Sequence, residues 1–131
     1  MKKQSYKILT VGDDECIRST ISDLLEDEGF ETVHAKNGRV ALDYLLATPD
    51  ERLPNLIFLD YMMPVMDGES FCLNKAANPR LANIPVVMMT ASGNLIRLMD
   101  TVEKKASGFM SKPMEIDVVM DMVEYFQKSK F

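Results

Sequence analysis

The sequence predicts an α/β fold in which a parallel five-stranded sheet lies between two layers of helices. The first observation is that short apolar segments alternate with longer amphipathic segments along the 131 residues. The second is that two of the apolar segments, LIFL at 56–59 and PVVMM at 85–89, contain no polar residue. Continuous apolar strands are typical of a parallel sheet that is buried on both faces. Right-handed crossovers between such strands give a doubly wound three-layer sandwich.

The strands and helices follow one another as five β–α units. The predicted strands span residues 6–11, 31–35, 56–59, 85–89 and 108–111. The predicted helices span residues 16–28, about 37–47, 68–77, 95–105 and 115–127. Gly29 directly follows the first helix, as expected of a residue that ends one. Two prolines between positions 48 and 55 predict a surface loop before the third strand.

Length and composition set limits on the class of protein. A chain of this length fits one domain, so we expect residues 1–131 to form a single domain with no attached output domain. The net charge of −5 argues against non-specific binding of nucleic acid, which needs a basic surface. No apolar run approaches the roughly 20 residues of a membrane span, and the amino terminus does not resemble a signal peptide. With both cysteines expected to be reduced, these features predict a cytoplasmic protein.

Four short groups of residues, each with a polar side chain, follow the predicted strands. In chain order, they are Gly12-Asp13-Asp14, Asp60, Thr90 and Lys112-Pro113. The carboxyl ends of parallel strands share one edge of the sheet, which is where such folds place their sites. Neighbouring carboxylates repel each other unless a cation lies between them, and a set of oxygen ligands suits Mg²⁺. A lysine and a hydroxyl facing that cluster suit a phosphoryl group, and an aspartate carboxylate is a nucleophile at neutral pH.

Four segments in this order resemble the response regulator receiver domain family. They are ILTVGDDECIR, LIFLDYMMPVMDG, VVMMTAS and GFMSKP, and the likeness covers the whole chain. The resemblance implies a flavodoxin-like (βα)5 sandwich with strand order 2-1-3-4-5. It implies that Asp60 accepts a phosphoryl group and that Asp13, Asp60 and the backbone carbonyl of Met62 ligate Mg²⁺. It also implies that the Thr90 hydroxyl and the Lys112 ammonium bind phosphoryl oxygens.

The resemblance further implies a switch and a set of partners. Thr90 and Phe109 would be the switch residues, although the sequence also leaves open that Phe109 is a permanently buried core aromatic. The phosphoryl donor would be a phosphohistidine on a histidine kinase or a histidine phosphotransfer protein. The downstream target would be a protein that binds the face formed by the predicted helix 95–105, the fifth strand and the last helix. The domain would catalyse its own phosphorylation and slow dephosphorylation without being a conventional enzyme, and it would bind neither nucleic acid nor membrane.

One departure from the family pattern leaves a second function open. Gly12 stands where the family usually has the first of two acidic residues, so Mg²⁺ binding is expected to be weakened. The alternative is a degenerate receiver that acts as a phosphorylation-independent adaptor. A hydrolase with an aspartyl intermediate fits less well, because it would need a second aspartate at the position of Met62. Asp13 could also serve only as the cap of the first helix, while Asp14 is expected to point away from the site.

Overall fold

The computed structural model describes residues 6–61, 63, 65–91, 107–112 and 115–128, with the backbone alone at 91, 111 and 112. The five strands are β1 (Lys7–Val11), β2 (Glu31–Ala35), β3 (Leu56–Asp60), β4 (Val86–Ala91) and β5 (Gly108–Lys112). The helices are α1 (Glu15–Asp27), α2 (Gly38–Ala47), α3 (Gly68–Ala76) and α4 (Ile116–Lys128), with a short 3-10 turn at Asp50–Arg52. The predicted helix at 95–105 lies outside the described residues.

The sheet has the predicted topology. Its strands are hydrogen-bonded in the order β2-β1-β3-β4-β5, and every pairing is parallel. The fold class is therefore confirmed. β3, β4 and β5 each continue one or two residues further than predicted, because backbone pairing does not stop where the side chains become polar. Asp60, Thr90 and Lys112 consequently lie within the last two residues of their strands rather than in the loops that follow.

Two separate apolar cores cover the two faces of the sheet. One is formed by the alternating side chains of β1 and β3 with α2 and α3, and includes Leu9, Leu59 and Phe71. The other lies against α1 and α4, and includes Phe58 and Val119. The first four side chains of β3, which precede Asp60, are fully buried. Their burial explains the unbroken apolar run LIFL. The part of the chain that the structure describes has no helix with the length and apolar character needed to cross a membrane.

Three helices begin at the edge where the strands end, and each is capped by a polar side chain. Asp14 caps α1 by accepting a hydrogen bond from the Ile17 amide at 3.2 Å. Asn37 and Asp67 do the same for α2 and α3, each at 2.9 Å. Such caps satisfy amide groups that have no partner within the helix. The cap of α1 is therefore Asp14 and not Asp13, so the reading of Asp13 as that cap is wrong.

A buried lysine lies on the helix that follows the β3 loop. Lys75 in α3 is 4% exposed, and its ammonium donates to the Ala82 carbonyl at 3.1 Å. Removal from water penalises the charged form of a lysine. Burial therefore lowers the pKa of Lys75 below its ordinary value of 10.5, while the neighbouring Cys72 acts in the opposite direction.

A Lys75→Met substitution should change how the free energy of unfolding varies with pH. Because the pKa of Lys75 is lower in the folded protein, the unfolded chain binds one more proton between that lowered pKa and 10.5. Wild-type stability therefore rises with pH through this window. The variant lacks this lysine and is otherwise identical, so the free energy of unfolding of wild type minus that of the variant should increase toward pH 10.5.

Urea titrations of both proteins across this alkaline range measure the difference. Tyr6, whose pKa is raised by burial, is present in both proteins and cancels. A difference that stays constant as the pH rises would contradict the placement of Lys75 in a desolvated position.

Candidate functional site

Asp60 is a buried carboxylate at the carboxyl edge of the central strand. It is the last residue of β3 and is 4% exposed. Its backbone pairs with Met89 of β4, while Val11 of β1 pairs with Leu59 just before it. This register brings Gly12, the residue that directly follows β1, alongside Asp60. The acidic side chain therefore lies between the ends of β1 and β4, at the point where the strand connections diverge to opposite faces of the sheet.

Gly12 leaves room for the Asp60 side chain. A Cβ atom built on Gly12 would lie 3.3 Å from the Asp60 Cβ and 3.5 Å from its Oδ2. These contacts are close enough that any larger residue at position 12 would displace Asp60 by a few tenths of an ångström. With glycine at position 12 in place of an acidic residue, the Asp60 side chain packs directly against the backbone that follows β1.

Arg18 contributes a contact that the sequence did not predict. The Gly12 amide donates to the Ala35 carbonyl at 3.0 Å, and the Gly12 carbonyl accepts a hydrogen bond from the Arg18 guanidinium. Gly12 is thereby held through the peptide groups on both of its sides, the one that follows Val11 and the one that leads into Asp13. Arg18 belongs to the segment ILTVGDDECIR, yet nothing in that pattern shows that its side chain turns back over the start of α1.

Asp13 and Asp14 are both exposed but differ in their roles. Asp14 accepts the hydrogen bond from Ile17 that starts α1, as expected of a side chain turned away from the site. Asp13 lies in the turn between the peptide group that Arg18 holds and this cap. Its proposed role as a ligand therefore remains compatible with its place at the carboxyl edge.

The remaining predicted site residues lie on the two strands beyond β3. Thr90 is 1% exposed and follows Met89, the partner of Asp60. Lys112 ends β5, where its backbone pairs with Ala91, next to Thr90. The backbone positions of Asp60, Thr90 and Lys112 thus share one edge of the sheet. The Lys112 side chain, Met62 and Pro113 lie outside the described residues, so their roles stay predictions.

Phe109 is half-buried within β5. It pairs with Met88 and packs against the core on the α2 and α3 side. Partial burial is what a residue with two side-chain positions would need, and it also suits a core aromatic. Its role as a switch stays a prediction.

The chemistry of the available donors suits a hard cation. Asp13 and Asp60 offer carboxylate oxygens at one edge, and Mg²⁺ characteristically takes one or two carboxylates while keeping several waters. Within residues 6–61, 63, 65–91, 107–112 and 115–128, no group of three or more His, Cys, Asp or Glu side chains is placed to hold a metal. The two carboxylates fit an ion that is completed by water and a phosphate.

Comparisons with known proteins find relatives over most of the chain. The model of the response regulator receiver domain matches residues 8–124. Sporulation initiation phosphotransferase F of Bacillus subtilis is 34% identical over 120 residues, which cover 92% of each chain. Chemotaxis protein CheY of Listeria monocytogenes is 33% identical over 90% of this chain and 95% of its own. Against the longer regulators that it also matches, the chain spans about half their length.

A solved structure has the same architecture. The receiver domain of a signal transduction histidine kinase from Syntrophus aciditrophicus superimposes with a TM-score of 0.85 at 30% sequence identity, covering 96% of this chain and 92% of that one. The family match extends over most of the chain. The protein therefore belongs to the response regulator receiver domain family of two-component systems.

Proposed function

We propose that this protein is a phosphorylation-switched signalling module in which Asp60 accepts a phosphoryl group from a phosphohistidine. One observation carries the proposal: a nearly buried aspartate ends the central strand and packs against Gly12, at the edge that also holds Asp13 and Thr90. Receiver domains of this family interact with histidine kinases or phosphotransfer proteins. The same kind of donor is proposed here.

The transfer exchanges one bond to phosphorus for another. A carboxylate oxygen of Asp60 attacks the phosphorus atom, the bond from phosphorus to the imidazole nitrogen breaks, and the electron pair leaves with the histidine of the donor. A carboxylate can act as the nucleophile without the help of a general base. The Thr90 hydroxyl and the Lys112 ammonium would bind the phosphoryl oxygens that carry the negative charge. Mg²⁺, held by Asp13, Asp60 and the Met62 carbonyl, would supply further neutralisation of that charge.

Phosphorylation would then bias a protein-binding surface. New contacts of the phosphoryl group with Thr90, together with a movement of Phe109, would change the face that includes β5 and α4. The proposed downstream partner is a protein that binds this face, and the proposed location is the cytoplasm.

The second candidate is an adaptor that works without phosphorylation. Gly12 favours it, because the site has lost one acidic group and Asp60 occupies the space beside the missing side chain. The presence of Asp13, Asp60, Thr90 and Lys112 together favours the switch, since an adaptor has no need of all four.

Incubation with acetyl phosphate separates the two candidates. The switch predicts that the intact protein gains the mass of one phosphoryl group in the presence of Mg²⁺ and much less when a chelator removes it. The adaptor predicts no gain under either condition. A protein that remains unmodified with excess acetyl phosphate and Mg²⁺ would contradict the switch.

A further inference from the structure

Arg18 contacts the backbone on both sides of Asp13. Its guanidinium donates a hydrogen bond to the Gly12 carbonyl, and its own amide donates to the Asp14 carbonyl at 3.1 Å. The first contact fixes the peptide group that enters Asp13, and the second belongs to the first turn of α1, directly after it. One residue of α1 thus holds the turn in which the exposed Asp13 lies.

The guanidinium of Arg18 makes this contact instead of those that usually hold an arginine. Five donors in a planar fork suit the guanidinium to paired hydrogen bonds with a carboxylate. Among the residues that the structure describes, however, no carboxylate forms an ion pair with Arg18. Its Nε is buried and has no hydrogen-bond partner there. A buried donor without a partner is unfavourable, so packing alone does not account for an arginine at this position.

Glycine at position 12 increases the effect of the contact. Glycine has the largest backbone freedom of any residue, and this freedom is lost when the turn becomes ordered. The Gly12 amide donates to the Ala35 carbonyl at 3.0 Å, which fixes the peptide group before the Gly12 Cα. The hydrogen bond from Arg18 fixes the peptide group after it, and with that group the direction in which the chain enters Asp13.

We propose that Arg18 is a positioning residue for Asp13 as a ligand of Mg²⁺. This inference rests on the proposed function, in which Asp13 and Asp60 share the ion. The turn that carries Asp13 lies beside Asp60, because a Cβ on Gly12 would be 3.3 Å from the Asp60 Cβ. Mg²⁺ demands nearly ideal octahedral geometry, so its affinity depends on how closely each carboxylate is held in place. Arg18 acts through Asp13 and contacts neither the ion nor the phosphoryl group.

The charge of Arg18 acts in the opposite direction. A guanidinium close to the site repels a divalent cation, so an arginine that acted by its charge alone would weaken the binding of Mg²⁺. Removal of the side chain therefore weakens Mg²⁺ binding if Arg18 positions Asp13, and strengthens it if the charge dominates. The sign of the change in affinity separates these two roles.

Three variants separate position, charge and stability. Arg18→Met removes the charge and the hydrogen bond but retains a long unbranched side chain. Arg18→Lys keeps the charge and a single donor group on a shorter stem. Arg39→Met is the matched control, because Arg39 is an exposed arginine near the start of α2, at the same edge of the sheet. Its ion pair with Asp43, at 3.8 Å, lies within α2.

Calorimetric titrations with Mg²⁺ and with Ca²⁺ give the affinities of the wild type and the three variants. We expect Arg18→Met to bind Mg²⁺ about tenfold more weakly than the wild type, at the low end of the range for groups that orient a metal ligand. Ca²⁺ accepts a more flexible geometry, so the ratio of the two affinities should shift toward Ca²⁺. Arg18→Lys should lie between the wild type and Arg18→Met, and Arg39→Met should bind both ions like the wild type.

Melting temperatures without divalent ions distinguish this role from a purely structural one. A lower melting temperature of Arg18→Met with unchanged Mg²⁺ affinity would overturn the inference, as would tighter binding of Mg²⁺ or an equal loss of affinity for both ions. If Arg18→Met does not fold, Arg18→Lys decides the question, and a Mg²⁺ affinity equal to that of the wild type would overturn the inference.

Acetyl phosphate distinguishes failure of this inference from failure of the proposed function. A wild type that is labelled in the presence of Mg²⁺, with Arg18→Met binding Mg²⁺ equally well, would overturn the role of Arg18 alone. A wild type that binds Mg²⁺ more tightly than Arg18→Met but is never labelled would contradict the phosphoryl transfer and not the role of Arg18. A wild type that does not bind Mg²⁺ would overturn the positioning role, because Asp13 would then not be a ligand.

Discussion

Replacement of Asp60 by asparagine should abolish phosphorylation by acetyl phosphate and by protein donors alike. The amide has nearly the shape of the carboxylate, so the packing against Gly12 is expected to survive. It carries no negative charge, however, and it is a very poor nucleophile at neutral pH. The expected result is a folded protein whose intact mass does not change.

A matched control is available in the loop that follows. Asp67→Asn also replaces a carboxylate by an amide, but Asp67 acts as the cap of α3 through a hydrogen bond from Ser70. Asparagine is as good a cap as aspartate, so this variant should fold and be labelled like the wild type. Complete labelling of Asp60→Asn would show that the assignment of the phosphoryl acceptor is wrong.

Substitution at Gly12 should change the affinity for Mg²⁺ in a way that depends on the side chain. Gly12→Asp restores the acidic group that the family usually has, and outer-shell carboxylates of this kind are worth roughly 10- to 100-fold in metal affinity. Any side chain at this position must also displace Asp60 slightly, because its Cβ would lie 3.3 Å from that of Asp60. We therefore expect Gly12→Asp to bind Mg²⁺ about tenfold more tightly, at the low end of this range.

Gly12→Ala separates the two effects. It adds the same Cβ without the carboxylate, so it should bind Mg²⁺ no more tightly than the wild type. In Gly12→Asp the new carboxylate repels Asp60 when no cation is present. Its melting temperature should therefore rise more on addition of Mg²⁺ than that of the wild type or of Gly12→Ala. The affinities are measured by calorimetric titration. Equal Mg²⁺ affinities for Gly12→Asp and Gly12→Ala would contradict the interpretation of Gly12 as the position of a missing acidic group.

Much of the fold could be predicted because its signals are local. The signals are the apolar run LIFL, the helical spacing of apolar residues in the helices, and Gly29 after α1. Each of them involves only residues that are close together in the sequence. The strand order came from resemblance to a family, since local patterns do not determine which strands are neighbours. β3, β4 and β5 end later than the sequence predicts, because backbone pairing continues through polar residues such as Thr90.

The candidate site was predictable in its members but not in its contacts. Asp13 and Asp14 are adjacent and chemically identical, so the sequence could not show which of them starts α1. The close approach of Gly12 to Asp60 depends on the register of β1 and β3, which no single segment contains. The hydrogen bond from Arg18 to Gly12 likewise arises only when the turn after β1 is fixed by the rest of the fold.

The most direct test of the account is to locate the modified residue. The protein is treated with acetyl phosphate and Mg²⁺, the acyl phosphate is reduced with borohydride to a stable homoserine, and the peptides are analysed by mass spectrometry. The account predicts a single modified residue, Asp60, in the peptide that contains LIFLDYMMP. Modification at Asp13, Asp14 or Asp67 with Asp60 intact, or no modification at all, would contradict it.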